Sequence, residues 1–201
     1  MNIVFDLGGV LLRWRPAELI ASLWPQRAAI PAQTLAAEFF QAYGGDWGLF
    51  DQGLIDAPTV AARIALRTGW PLADVAQVVA AGPDELQPLP DTVALIEELK
   101  SAGHRLFFLS NMPSPYADLL ERRLPFEQWF EAGVFSSRVK QSKPGEQIYR
   151  IANERFGNSS QGYVFLDDHP ANISAAIAHG WQGLLFTSAA QARLDIASLV
   201  A

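Results

Sequence analysis

The sequence predicts an α/β fold: a three-layer, mostly parallel sheet carrying a small inserted helical cap. Three observations predict it. Ile3-Val4-Phe5, Leu106-Phe107-Phe108-Leu109 and Tyr163-Val164-Phe165-Leu166 are apolar on successive residues rather than alternate ones, the pattern of strands buried on both faces. From Leu89 onward such runs alternate with helical patterns, which builds a parallel sheet through right-handed crossovers. Between the first run and Leu89 the patterns are all helical, too much helix for one crossover.

The elements follow in order. The first strand, from Asn2, ends at Asp6, and Gly8-Gly9 follow at once, leaving the backbone free to turn and a ligand free to approach. Helices are expected over Pro16 to Trp24, Gln33 to Tyr43, Pro58 to Arg67 and Leu72 to Ala81, with Leu35, Phe39, Val60 and Ile64 at helical spacing. Gly44 to Gly53, rich in glycine and aromatics, lies among them. Residues 14–86 thus read as the cap, and 1–13 with 87–201 as an α/β core. In the core, Asp91 is the expected N-cap of a helix carrying Leu95, Ile96 and Leu99 and stopped by Gly103. Then come a strand at Arg105 to Leu109, a helix at Tyr116 to Arg123 and a short strand at Gly133 to Ser136. Pro144 suits the first turn of a helix reaching Arg155. A strand at Gly162 to Leu166, a helix from Pro170 to His179, a strand at Gln182 to Phe186 and a helix from Ala189 to Leu199 complete the chain.

Composition narrows the function classes. Of 201 residues, half are hydrophobic and 18% charged, the balance of a globular domain. The net charge of -6 gives no electrostatic footprint for nucleic acid. The absence of cysteine excludes disulfides, thiol nucleophiles and Cys-ligated zinc. No apolar run approaches membrane-spanning length. Asp6 interrupts the first apolar run and no basic n-region precedes it, so a signal peptide is not expected and a cytoplasmic location is.

Polar residues gather where the predicted strands end. Asp6 ends the first, Ser110-Asn111 the second and Asp167-Asp168 a later one, while Lys143 precedes a helix. The C-terminal strand ends of a parallel sheet share one edge, so these residues are expected to meet. Three facing carboxylates repel unless a cation lies between them, and an all-oxygen donor set suits Mg²⁺. Each residue alone has a plainer reading: Ser110 and Asp167-Asp168 as helix caps, Lys143 as a solvated lysine. Capping does not account for this order of chemistries at successive strand ends.

Carboxylate, hydroxyl, lysine, paired carboxylates: the order and spacing resemble the four motifs of the haloacid dehalogenase-like hydrolase superfamily, across nearly the whole chain. The Asp-Leu-Gly-Gly-Val start is most similar to its small-cap phosphatases, among them sugar-phosphate phosphatases. The resemblance implies a Rossmann-like core and a Mg²⁺-dependent phosphomonoester hydrolase acting on a small phosphorylated metabolite. It implies Asp6 as nucleophile and metal ligand, forming an aspartyl-phosphate, and Gly8 as the backbone carbonyl ligand. Ser110 and Lys143 match the phosphate-binding hydroxyl and lysine, with Asn111 beside them. Asp168 matches the main acidic metal ligand and Asp167 a second or outer one. Asn172 stands where relatives often have another acid. Trp47, Phe50 and Asp51 of the cap are expected to select the substrate.

One position departs from the pattern. Relatives place a second Asp two residues after the nucleophile, as general acid and base; here it is Gly8. An acid from elsewhere (Asp46, Asp51, His169 or water) is one answer. A dehalogenase-type reaction, with Asp6 attacking carbon, is another, and a non-catalytic phosphate-binding protein a third. The phosphatase is preferred, because a dehalogenase needs no metal and a pure binder has no use for Asp6, Lys143 and both acids.

Overall fold

The computed structural model describes residues 1–41 and 44–199. Among these, five parallel strands form one sheet in the order β3-β2-β1-β4-β5. They are β1 (Asn2–Phe5), β2 (Arg105–Ser110), β3 (Ala132–Phe135), β4 (Val164–Asp167) and β5 (Gln182–Leu185). The central strand pairs Phe5 with Phe108 on one side and with Leu166 on the other.

Both faces of the sheet are covered at β1, β2 and β4, which is why these strands read as continuous apolar runs, while the edge strand β5 stays partly exposed. Ile3, Phe5, Leu106 and Phe108 enter one apolar cluster; Val4, Phe107, Leu109 and Phe165 enter another. The first is covered by α6 (Pro90–Ser101), α7 (Ser114–Arg123), α8 (Phe126–Trp129) and α12 (Ala189–Ser198). The second is covered by α10 (Glu146–Phe156) and α11 (Pro170–Ala178). Between β1 and α6 the chain forms α1 (Pro16–Leu23), a 3₁₀ turn at Pro25–Arg27, α2 (Ala32–Phe40), α3 (Asp46–Asp51), α4 (Ala57–Thr68) and α5 (Leu72–Glu85). Buried side chains of these helices, among them Ile20, Phe39, Val60, Ile64 and Val75, continue the first cluster.

Several boundaries differ from expectation, each for a local reason. The glycine-aromatic stretch holds a helix, α3, because Trp47 and Phe50 bury one side of it. Asp91 is not the N-cap of α6: the helix starts at Pro90, whose fixed φ suits the first position, and Asp91 lies in the first turn. Pro144 precedes α10, which starts at Glu146, because the segment before it is held inward by Asn111. Helix α5 runs on past Ala81 with Pro83 inside it, where a proline near the end costs few helical bonds. Helix α4 begins at Ala57 rather than Pro58, capped by Asp56, whose side chain accepts the Thr59 N–H at 2.9 Å. Helix α2 ends at Phe40, where Gln41 turns left-handed; of the expected extension, Ala42 and Tyr43 lie outside the described residues. β4 is displaced toward its C-terminal side and ends on Asp167 itself, and Ser136 leaves β3 to open a short helix, α9 (Ser136–Val139).

At Gly133 of β3 the aromatic ring of its partner Phe108 lies over the backbone, and a Cβ there would stand 1.9 Å from Phe108 Cε1. Phe108 is itself wedged against Phe126, Phe130 and Phe135, so it has no room to retreat. Gly133→Val is expected to cost about 1–3 kcal/mol by overpacking, lowering the melting temperature by about 2–4 °C per kcal/mol. An unchanged melting temperature would show that the ring repacks freely.

Candidate active site

The parallel sheet gathers its C-terminal strand ends, and Lys143 is the residue they close upon. Its Nζ lies 2.8 Å from Asp6 Oδ1, 2.7 Å from Asp167 Oδ2 and 2.9 Å from the Leu109 carbonyl. An ammonium has three donors, and here each has an acceptor. The side chain is 1% exposed, so it is not the solvated lysine of the plainer reading. Burial works against the charge, but Asp167 and Asp6 more than reverse this and hold the proton above the ordinary lysine range.

Asn111 fixes the lysine from behind. Its Nδ2 donates to the Lys143 carbonyl at 2.9 Å, and its Oδ1 accepts the Lys143 N–H at 2.9 Å. Asp167 is fully buried and accepts the His169 N–H and the Asn172 side-chain amide as well as Lys143. Asn172, in the position noted for another acid, therefore orients Asp167, and its Oδ1 is buried without a partner.

Asp6 follows the last residue of β1; its N–H donates to the Leu166 carbonyl and its Oδ1 accepts the Leu7 N–H. Burial raises its carboxyl to about 7, Lys143 opposes, and Asp167 and Asp168 raise it further. Asp6, Asp167 and Asp168 each offer an oxygen, all within 4.8 Å of one another. Asp168 is the exposed member. Gly9 makes room for it: at φ 77° the backbone is left-handed, and a Cβ would come 2.3 Å from Asp168 Oδ2. Ser110, 1% exposed, ends β2 beside this cluster.

A small cavity of about 70 Å³ opens at Gly8, lined by Trp14, Trp47, Asp51, Leu86, Asn111 and Tyr116 among others. Trp47 packs edge-on against Phe40 and Phe50 and stacks on Trp14. Phe50, 1% exposed, stands behind Trp47 and Tyr116 as their packing partner. Asp51 ends α3 in the cavity wall. Burial pushes its carboxyl up to about 8, the Asp6 charge adds to this, and Lys143 and a hydrogen bond from Trp47 oppose it.

Sequence reasoning passed over Ser136, Trp14 and Tyr116. Ser136 is fully buried; its hydroxyl accepts the Met112 N–H at 2.8 Å and donates to the Asp51 carbonyl. Its sequence signal was its place, at the end of a predicted strand like Ser110. Trp14 and Tyr116 carried none beyond being aromatic.

Buried lysine, carboxylate triad and parallel sheet agree with the family comparison. The model of the haloacid dehalogenase-like hydrolases matches residues 1–180, and the chain belongs to that family. Among its relatives is a sesquiterpene phosphatase of Aspergillus oryzae, 26% identical over 199 residues that cover 98% of this chain and 95% of the relative. An (S)-2-haloacid dehalogenase of Burkholderia cepacia is 25% identical over 82% of this chain and 68% of its own. A HAD family enzyme of Bacteroides thetaiotaomicron, solved with magnesium and inorganic phosphate, shares the fold at a TM-score of 0.68 and 23% identity, covering 92% of this chain and 93% of that one.

Lys143→Met leaves Asp6 and Asp167 buried without their cation. It is expected to cost about 3–5 kcal/mol in denaturant unfolding at about pH 8. With its carboxyl raised to about 7, Asp6 binds a proton more tightly folded than unfolded, so its contribution to stability falls as pH rises from about 4 to about 7 in metal-free protein. The loss caused by Lys143→Met is therefore expected to shrink at about pH 5, where Asp6 takes up a proton. An equal loss at both pH values would show that Asp6 is not the group relieved.

Proposed function

We propose that this hydrolase cleaves phosphate monoesters through an aspartyl-phosphate on Asp6, with one Mg²⁺ held by Asp6, Asp168, Asp167 and the Gly8 carbonyl. The observation that carries the reading is the imbalance of charge: three carboxylates converge within 4.8 Å, and one lysine answers them. A phosphate dianion does not approach such a group without a further cation. The donors are all oxygen, as a hard divalent ion requires. Bound there, Mg²⁺ supplies the positive charge that lets phosphate meet Asp6.

The chain's own residues supply the rest. Lys143 holds Asp6 Oδ1 in place and offers charge to the phosphoryl oxygens. The Ser110 hydroxyl donates to those oxygens. Asn111 and Asn172 act at one remove, fixing Lys143 and Asp167. Residues 14–86 serve as a cap over a core of 1–13 and 87–201, and Trp47 meets the leaving alcohol while Phe50 braces it. Carbon attack, as in a dehalogenase, brings a substrate that carries its own carboxylate and no cation to offset it, which this acidic cluster repels. A non-catalytic phosphate-binding role leaves unexplained why the Asp6 carboxylate is buried among two further carboxylates and held on Lys143.

The cavity bears on the substrate. Its walls are Trp14, Trp47, Leu86, Met112, Pro113 and Tyr116, with Asp51 and Asn111 as the polar side chains, and Asn111 is committed to Lys143. A sugar would leave hydroxyls unpaired there; an apolar alcohol buries its surface. The resemblance to a sesquiterpene phosphatase over nearly the whole chain supports the same choice. Phosphate release measured with Mg²⁺ across prenyl, alkyl, aryl and hexose phosphates is expected to favour the apolar esters. Preference for hexose phosphates would reverse this assignment. Asp6→Asn is expected to remove turnover while circular dichroism stays unchanged, and activity within about tenfold of wild type would take Asp6 out of the mechanism.

Metal binding has its own test. Asp168→Ala removes the exposed carboxylate and leaves the Lys143 contacts intact. Calorimetric titration with Mg²⁺ is expected to show at least about tenfold weaker binding. Unchanged affinity would place the ion elsewhere.

A further inference from the structure

We infer that Asp51, at the end of α3, is the acid and base that Gly8 cannot be: it protonates the leaving alcohol and then deprotonates the attacking water. The inference rests on the phosphatase reading and adds the missing proton carrier to it.

Geometry selects Asp51 from the candidates. Asp51 lines the cavity together with Gly8. Asp46, at the opposite end of α3, is instead paired with Arg67, Oδ2 to Nε at 3.1 Å. His169 is exposed and caps α11, its Nδ1 accepting the Ala171 N–H. Asp51 stands outside the three-carboxylate cluster, so it is free of the expected metal set.

Asp51 is also held in place. Ser136 accepts from Met112, in the segment after β2, and donates to the Asp51 carbonyl, which ties the end of α3 to the strand edge that carries Ser110. Lys140 Nζ donates to the Gly53 carbonyl two residues on. At Gly53, in left-handed backbone, a Cβ would stand 2.9 Å from the Ser137 carbonyl, a contact only glycine permits. Trp47 donates to the Asp51 carboxylate. The end of α3 that carries Asp51 is thus fixed by its neighbours rather than left on a loop.

The chemistry balances. An Asp6 carboxylate oxygen attacks phosphorus, the P–O bond to the alcohol breaks with its electron pair on oxygen, and that oxygen takes the Asp51 proton. Alcohol leaves, and Asp51 is a carboxylate. Water then gives a proton to Asp51 as its oxygen attacks the aspartyl-phosphate, the P–O bond to Asp6 breaks, and phosphate leaves. Asp6 is again a carboxylate and Asp51 again protonated.

The test compares wild type and Asp51→Asn with Mg²⁺ on an alkyl phosphate and on 4-nitrophenyl phosphate, whose phenolate needs no proton. Asp51→Asn is expected to lower kcat/KM for the alkyl ester by about 10²–10⁴ and for the aryl ester by less than about tenfold. Because the second step still needs a base, the variant is expected to release a burst of nitrophenolate equal to enzyme, followed by slow turnover. Gly8 lies outside the left-handed backbone positions, and a Cβ there meets only Trp14 carbons, at 3.7 and 3.9 Å. Adding Gly8→Asp to Asp51→Asn is therefore expected to recover alkyl turnover at least about tenfold. Equal losses on both esters, with no burst, would make Asp51 a packing or binding residue and overturn the inference while the phosphatase reading stands. Wild type that hydrolyses neither ester would remove both.

Discussion

A lysine kept from water between two carboxylates is the constraint on which the site depends. Burying the ammonium in an uncompensated state would be prohibitive, so every one of its donors has to meet an acceptor, and those acceptors come from the residue that follows β1, from β2 and from β4. The demand passes outward. Asp167 needs Asn172 and the His169 N–H to saturate its oxygens, and the Lys143 backbone needs Asn111. Phe165 adds the face of its ring, 5.2 Å from Nζ. A site held from this many directions gives its nucleophile little freedom, which is the condition for electrostatic help without reorganisation.

The sheet and the helices after β1 divide the work. The sheet edge supplies charge: Asp6, Lys143 and the paired acids, drawn to one line by parallel pairing. The helices and the segment before α1 supply enclosure, an aromatic wall in which Trp47, Phe50 and Tyr116 of α7 pack edge to face and Trp14 stacks on Trp47. Excluding water on the wall side raises the strength of every charge on the edge side. The elevated carboxyls of Asp6 and Asp51 express that dryness.

How much of this the sequence disclosed depended on how local the cause was. Asp6, Ser110 and Asp167-Asp168 stood out because strand ends can be read from short apolar runs. Lys143 was found through its place in the series, and nothing near it in sequence foretold that it is buried; that follows from partners more than 20 residues away. Asn111 was read as standing beside the phosphate ligands; that it also clamps the Lys143 backbone through two hydrogen bonds is invisible without distances. Asn172 showed only its position in a helix. Trp47 and Phe50 looked equivalent, yet one lines the cavity and the other stands behind it, although i,i+3 spacing puts both on the same side of α3. The aromatic stretch concealed α3, since its glycines suggest a loop and only burial makes it helical.

The order of the strands has a consequence for how such a chain comes to be folded. β1 is four residues long, buried throughout, and sits in the middle of the sheet. Its first neighbour, β2, begins at Arg105 and its second, β4, at Val164. Until both arrive, an apolar strand carries an open row of amide and carbonyl groups, the form that recruits foreign strands. A polypeptide cut short before β4 would keep that row open on one side with a hydrophobic face on each side of it. Such a truncation product would be marked for aggregation or chaperone capture rather than for partial activity, and the same late pairing that closes the sheet also brings Asp167 to Lys143.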